Sequence, residues 1–195
     1  ETSEQPTAIN AATFAITADN TMSLVNVTIS NYGSLSISDN QALTLSADQA
    51  HGFAGNVTKG TGATIVASIT GDVSALDLTD ANSVSLSGNV TMSAAQADLF
   101  QGVITKNSFT VSVTAQGDLS DLNLSDVDTL TLSAAATLSD ETSEQPTAIN
   151  AATFAITADN TMSLANVTIS NYGSLSISAS EALTLSADQA HGFAG

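Results

Sequence analysis

Residues 43–55 read Leu43-Thr-Leu-Ser46-Ala-Asp-Gln49-Ala-His-Gly-Phe53-Ala-Gly55, and the same run returns at 183–195. A diverged version, Val90-Thr-Met-Ser93-Ala-Ala-Gln96-Ala-Asp-Leu-Phe100-Gln-Gly102, lies between them. Each version carries two signals. Aliphatic–Thr–aliphatic–Ser alternates with period 2 and reads as a short strand with one buried face. Ser-x-x-Gln follows, the pattern of a capping box in which Ser and Gln satisfy orphan backbone donors reciprocally. Ala50 with Phe53, and Ala97 with Phe100, fall on one helical face, and Gly55 and Gly102 suit a C-terminal stop. Roughly two helical turns fit each segment.

Outward from this run, residues 141–195 repeat residues 1–55 with four differences: Val25 against Ala165, Asp39 against Ala179, Asn40 against Ser180 and Gln41 against Glu181. Residues 1–140 therefore read as one full super-repeat and residues 136–195 as the start of the next. Aligning the strand signals at Leu43, Val90, Ala136 and Leu183 gives spacings of 47, 46 and 47. The super-repeat divides into sub-repeats of about 1–42, 43–89 and 90–135. After the strand signal that opens at Ala136, Ser139-Asp-Glu-Thr-Ser-Glu-Gln-Pro146 stands where the helical turn is expected, and proline with clustered acids predicts an exposed loop.

Longer strands are predicted at Thr13–Thr17, Thr64–Ile69 and Phe109–Val113, followed by turns at Asp19-Asn20, Gly71-Asp72 and Gly117-Asp118. Such short strands are weak alone and need stacking. The fold expected is all-β: a β-solenoid built from tandem repeats of about 47 residues, each two coils of about 23, running as one continuous body. The alternative is an array of β-sandwich domains.

Composition narrows function. The net charge is −17, with 2 Lys, no Arg and 19 acids in 195 residues. Nucleic acid and anionic membranes are disfavoured as partners, because both require Lys/Arg. No apolar run approaches the roughly 18 residues of a membrane span. Cysteine is absent, so disulfides and thiolate metal sites are excluded. A start at Glu1 fits a processed or internal fragment.

The strand-plus-Ser-Ala-x-Gln-Ala runs Leu43–Ala50 and Val90–Ala97 resemble repeats of long bacterial surface and extracellular adhesin-like proteins. That resemblance implies a secreted structural or adhesive polymer at the cell surface. The glycine-rich calcium nonapeptide of toxin-type repeats is not present, so calcium-driven folding of that kind is not implied.

Candidate chemistry rests on carboxylates. Asp72, Asp77 and Asp80 cluster in sequence, as do Asp118, Asp121, Asp126 and Asp128. Acids on neighbouring turns are candidate calcium ligands, since calcium takes six to eight oxygens. The bland alternative is a solvated acidic face. His51 and His191 each follow an acid by three residues (Asp48, Asp188), a spacing at which side chains on a helix can meet. No nucleophile elbow or triad is legible, so catalysis is not expected. Asn26, Asn56, Asn89, Asn123 and Asn166 head sequons that a chain this rich in Asn and Thr yields by chance. Phe14, Phe53, Phe100 and Phe109 read as core plugs. Thr28, Thr44, Thr91 and Thr131 lie between aliphatics, and if stacked would form a hydroxyl ladder like that of ice-binding solenoids; β-propensity is the plainer reason for them.

The expected function is non-enzymatic: a structural repeat segment of an extracellular bacterial filament, fibre or surface adhesin stalk, with copies of itself as partners along a filament or lattice. The alternatives are a calcium-dependent adhesin or S-layer-like lattice protein, and an ice-binding solenoid.

Overall fold

The computed structural model describes residues 8–17, 21–119, 122–137, 148–149, 153–156, 161–163, 168–169, 172–177 and 182–194. Its elements in order are β1 (Ala8–Ile16), β2 (Thr21–Ser23), β3 (Thr28–Ile37), β4 (Ala42–Ser46), α1 (Ala47–Phe53), β5 (Val57–Lys59), β6 (Thr64–Asp72), β7 (Ser83–Met92), α2 (Ala94–Leu99), β8 (Ile104–Thr105), β9 (Val111–Asp118), β10 (Asn123–Leu124), β11 (Thr129–Thr137), β12 (Ala148–Ile149), β13 (Thr153–Ile156), β14 (Thr161–Ser163), β15 (Thr168–Ile169), β16 (Ser174–Ile177), β17 (Ala182–Thr184) and α3 (Ala187–Phe193).

The pairing follows from the alternation. Strands run β2-β4-β6-β7-β9-β11-β13-β16 across the largest sheet, with β8 also on β7, while β1-β3-β5, β10-β12-β15 and β14-β17 form smaller sheets. Every pair among the described strands is parallel, and partners lie about twenty residues apart in sequence: Met22 opposite Leu43, Leu43 opposite Ile65, Ile69 opposite Leu86, Val90 opposite Val111. At these positions register sets aliphatic against aliphatic, while the outward positions between them mix hydroxyls with valine, alanine and aspartate. A slip of one residue would turn each aliphatic outward, so the buried face fixes the register. Leu35, Leu43, Leu45, Ile65, Ile69, Leu86, Met92, Val113 and Leu130 are buried in one cluster that runs along the stack. Each fully buried Leu or Ile contributes about 1.5–3 kcal/mol relative to exposure.

The expected all-β solenoid of 47-residue tandem repeats is corrected by this arrangement. The molecule is an α/β domain of mostly parallel strands, and its helices are part of the core. Phe53 of α1 is fully buried, edge-on to Phe14 at 5.5 Å and to Tyr32 at 5.1 Å, and Phe100 just after α2 is 1% exposed. The two helical turns read from Ser-x-x-Gln are present as α1 and α2, each opened by a complete capping box, and they fill space a sheet alone would leave empty. The sandwich alternative fails on strand direction, since its hairpins require antiparallel pairs. The β-solenoid filament description falls with the fold. Phe109, expected in the core, is 37% exposed.

Candidate functional site

The acidic clusters sit where helices and turns of one layer meet the next. At α1 the capping box is complete: Ser46 Oγ accepts from Gln49 N–H (3.3 Å), and Gln49 Oε1 accepts from Ser46 N–H (2.9 Å). The amide's other end faces inward. Gln49 Nε2 donates to both Leu24 O and Val27 O, at 2.7 Å each, so a buried side chain bolts the helix start to the turn after β2. At α2, Gln96 repeats this with Ser93, Val73 O (2.9 Å) and Leu76 O (2.8 Å). A buried amide with both ends satisfied costs little and fixes a single geometry; a half-satisfied one is destabilising.

The helix C-termini are tied in the same way. Gly55 and Gly102 both have φ of +75°, a conformation that favours glycine. The Gly55 N–H donates to Asp80 Oδ2 (2.8 Å), and the Gly102 N–H to Asp126 Oδ2 (2.7 Å). One turn earlier, His51 Nδ1 accepts from Asp77 N–H (2.9 Å), which places the ring proton on Nε2. The equivalent residue of α2 is Asp98, whose Oδ1 accepts from Asn123 N–H (2.7 Å). His51 therefore turns to the neighbouring layer rather than to Asp48.

Further along, Asn82 Oδ1 accepts from Ile65 N–H (2.9 Å) and from Lys59 Nζ (3.2 Å). Its counterpart Asp128 accepts from Val111 N–H (2.8 Å) and takes Lys106 Nζ on both oxygens, at 2.9 and 3.0 Å. Both lysines thus brace the same corner in successive sub-repeats. Asp72 and Asp77 close local turns: Asp72 Oδ1 accepts from Ser74 N–H and Oγ–H, and Asp77 Oδ1 from Thr79 N–H and Oγ1–H. The Ser74 and Thr79 hydroxyls first, then their N–H groups, hold both carboxyls below the ordinary Asp range. His51 adds a smaller electrostatic contribution at Asp77.

Of the candidate calcium ligands, Asp72, Asp77, Asp80, Asp126 and Asp128 are each engaged with backbone or Lys106, and they do not converge. No group of three acids or histidines placed to hold a metal occurs among the described residues. Asp121 lies outside the described residues; Asp118 ends β9 opposite Thr137, and its side chain is likewise outside what is described. The four threonines do not stack on one another either. Thr44 lies between Ser23 and Val66, Thr91 between Asp72 and Ser112, Thr131 between Thr114 and Ala155, and Thr28 is opposite Ala8 in another sheet. Valine, aspartate and alanine interrupt the ladder that ice binding would need.

A shallow cleft of about 120 Å³ lies between α2 and residues 76–79, lined by Leu76, Leu78, Ala95 and the exposed Leu99. Ligand pockets usually span about 300–1,000 Å³, so this cleft is small for one. Sequence reasoning missed the inward-facing amides of Gln49 and Gln96. The signal was present, because a capping box engages only the glutamine's oxygen and a buried NH₂ must find acceptors elsewhere. It also missed Asn82 and Asp98, whose roles appear only once neighbouring layers are superposed.

Comparison with protein-family models, with curated proteins and with solved structures found no match. The extracellular and adhesin-like assignments gain no support from them.

Proposed function

We propose that this chain is a structural repeat segment, a non-enzymatic spacer whose layers are locked to one another by side-chain clamps. The observation that carries this reading is the use made of the polar residues. Gln49, Gln96, His51, Asp98, Asp80, Asp126 and Asp128 all accept from or donate to the backbone of an adjacent layer. An active site would instead gather such groups around a cavity. Copies of the repeat are the natural partners of such a unit, since the sequence returns almost unchanged after 140 residues. Calcium enters this reading only as a counter-ion to the −17 charge, without a dedicated site.

Small-angle scattering on chains with one and with two further copies of residues 1–140 tests the proposal. A spacer lengthens in equal increments at constant cross-section. A cross-section that grows with each copy, or flexibly jointed beads, would remove the basis for it.

A further inference from the structure

Helices α1 and α2 stand at matching places in successive sub-repeats, yet their outer sides are finished differently. At α1 the ring of Tyr32 lies against Gly52, where a Cβ would come within 2.5–2.7 Å of it. Val27, whose carbonyl takes the buried Gln49 amide, is 7% exposed. At α2 no ring is present: Ala81 stands at the place of Tyr32 and Leu99 at that of Gly52. Leu76, whose carbonyl takes the Gln96 amide as Val27 takes that of Gln49, is only half-buried, and Leu99 is 49% exposed. The cleft of about 120 Å³ opens here.

Its size and its rim set what it can take. An empty apolar cavity of about 150 Å³ accepts one benzene ring. The cleft is therefore matched to a single leucine- or isoleucine-sized side chain. Leu76, Leu78, Ala95 and Leu99 supply its apolar walls, and Asp77 is the charged residue of the lining. Thr79 N–H and Oγ1–H both donate to Asp77 Oδ1, at 3.0 and 2.7 Å, which fixes the carboxylate and leaves Oδ2 without a partner among the described residues. The hydroxyl first, then the N–H, hold this carboxyl below the ordinary Asp range, so it is ionised at neutral pH. A fixed anion beside an apolar recess is complementary to a cation beside an aliphatic group.

A second copy of this chain does not supply that cation. Its Lys and Arg residues number two, Lys59 and Lys106. Lys59 Nζ donates to Asp80 O and Asn82 Oδ1, and Lys106 is paired with Asp128. The net charge of −17 also sets two copies against each other.

We propose that the cleft between α2 and residues 76–79 docks a basic partner of different sequence, which inserts one leucine- or isoleucine-sized side chain among Leu76, Leu78 and Leu99 and sets a neighbouring lysine or arginine against Asp77 Oδ2. The aliphatic group fixes where the partner sits, and the carboxylate selects its charge. The contact is independent of the spacer reading, since a chain can lengthen in equal increments with or without it.

Nuclear magnetic resonance of the whole chain, titrated with blocked tripeptides, tests the proposal. Ac-Lys-Leu-Lys-NH2 is expected to shift the Leu76, Leu78 and Leu99 methyls and the Thr79 amide in a saturable way. Ac-Glu-Leu-Glu-NH2 and Ac-Lys-Gly-Lys-NH2 are expected to leave those methyls in place. Asp77→Asn, whose amide oxygen still accepts from Thr79, should weaken binding of the Lys-Leu-Lys peptide about two- to fivefold, the range of an exposed ion pair, and the difference should vanish at high salt. Ala95→Leu, at an exposed helix position, fills the cleft with a good helix former and should abolish the methyl shifts. No methyl shift at millimolar Lys-Leu-Lys peptide, equal shifts with either control peptide, or shifts unchanged in Ala95→Leu would overturn the proposal. Concentration-dependent shifts of the same methyls in the chain alone would overturn it too, because the occupant would then be a second copy.

Discussion

Replacing Gln49 by leucine isolates the clamp between layers. The volume is nearly kept, so packing changes little. Three side-chain hydrogen bonds disappear, to Ser46 N–H, Leu24 O and Val27 O. Leu24 O keeps a partner, since Val27 N–H donates to it at 2.8 Å. Ser46 N–H and Val27 O lose theirs in a region where Gln49 is 3% exposed. Each orphaned buried group costs about 1–3 kcal/mol, and burying leucine in place of the amide returns about 1 kcal/mol, so the net loss for the two groups is about 1–5 kcal/mol. Urea unfolding followed by circular dichroism measures it, with an unchanged m-value showing that the same surface is exposed on unfolding. Gln49→Glu keeps the acceptor for Ser46 but sets a carboxylate against two carbonyls, and is expected to lose at least as much. A loss below 1 kcal/mol for Gln49→Leu would refute the reasoning, because the clamp would then add nothing beyond packing.

Other expectations follow from the same geometry. Gly52→Ala places a Cβ within 2.5–2.7 Å of the Tyr32 ring and is expected to cost about 1–3 kcal/mol; the pair Tyr32→Ala with Gly52→Leu, copying Ala81 and Leu99 of the next sub-repeat, should recover part of that in a double-mutant cycle. His51→Asp should keep the bond to Asp77 N–H, as Asp98 does at the matching place, whereas His51→Ala should lower the thermal midpoint. The lowered carboxyls of Asp72 and Asp77 contribute stability that is complete above the unfolded Asp pKa of about 3.9 and is lost as pH falls through their folded values; an acid titration of the melting temperature should flatten in Asp77→Asn, whose amide oxygen still accepts from Thr79. Chelator and added calcium should leave the melting temperature within about a degree at physiological salt, read by scanning calorimetry, because stabilisation by a ligand needs a site that binds it.

Much of the local structure was legible. The alternation at Leu43–Leu45 and Val90–Met92 located strands, and Ser46/Gln49 and Ser93/Gln96 located helix starts, because period and capping are local properties. Fold class was misjudged because helices of six or seven residues look minor beside many strands, although Phe53 and Phe100 of those segments lie at the centre of the core. The acidic clusters were misread for a different reason. Asp80 and Asp126 look like free carboxylates in sequence, and their partners Gly55 and Gly102 are more than twenty residues away. Only the layer spacing brings them together.

Distances between spin labels along the stack test the central claim that the strands follow one another in chain order, each one layer further on. A label at Ser176 is paired in turn with one at Thr114, Asp72 or Ser23, which lie three, five and seven strands away along the order of the largest sheet. At about 4.8 Å per step the axial separations are about 14, 24 and 34 Å, and pulsed electron paramagnetic resonance should return distances that rise in that order. Distances for Asp72 and Ser23 that fall below the value for Thr114 would mean that the chain doubles back, and the layered account would be wrong.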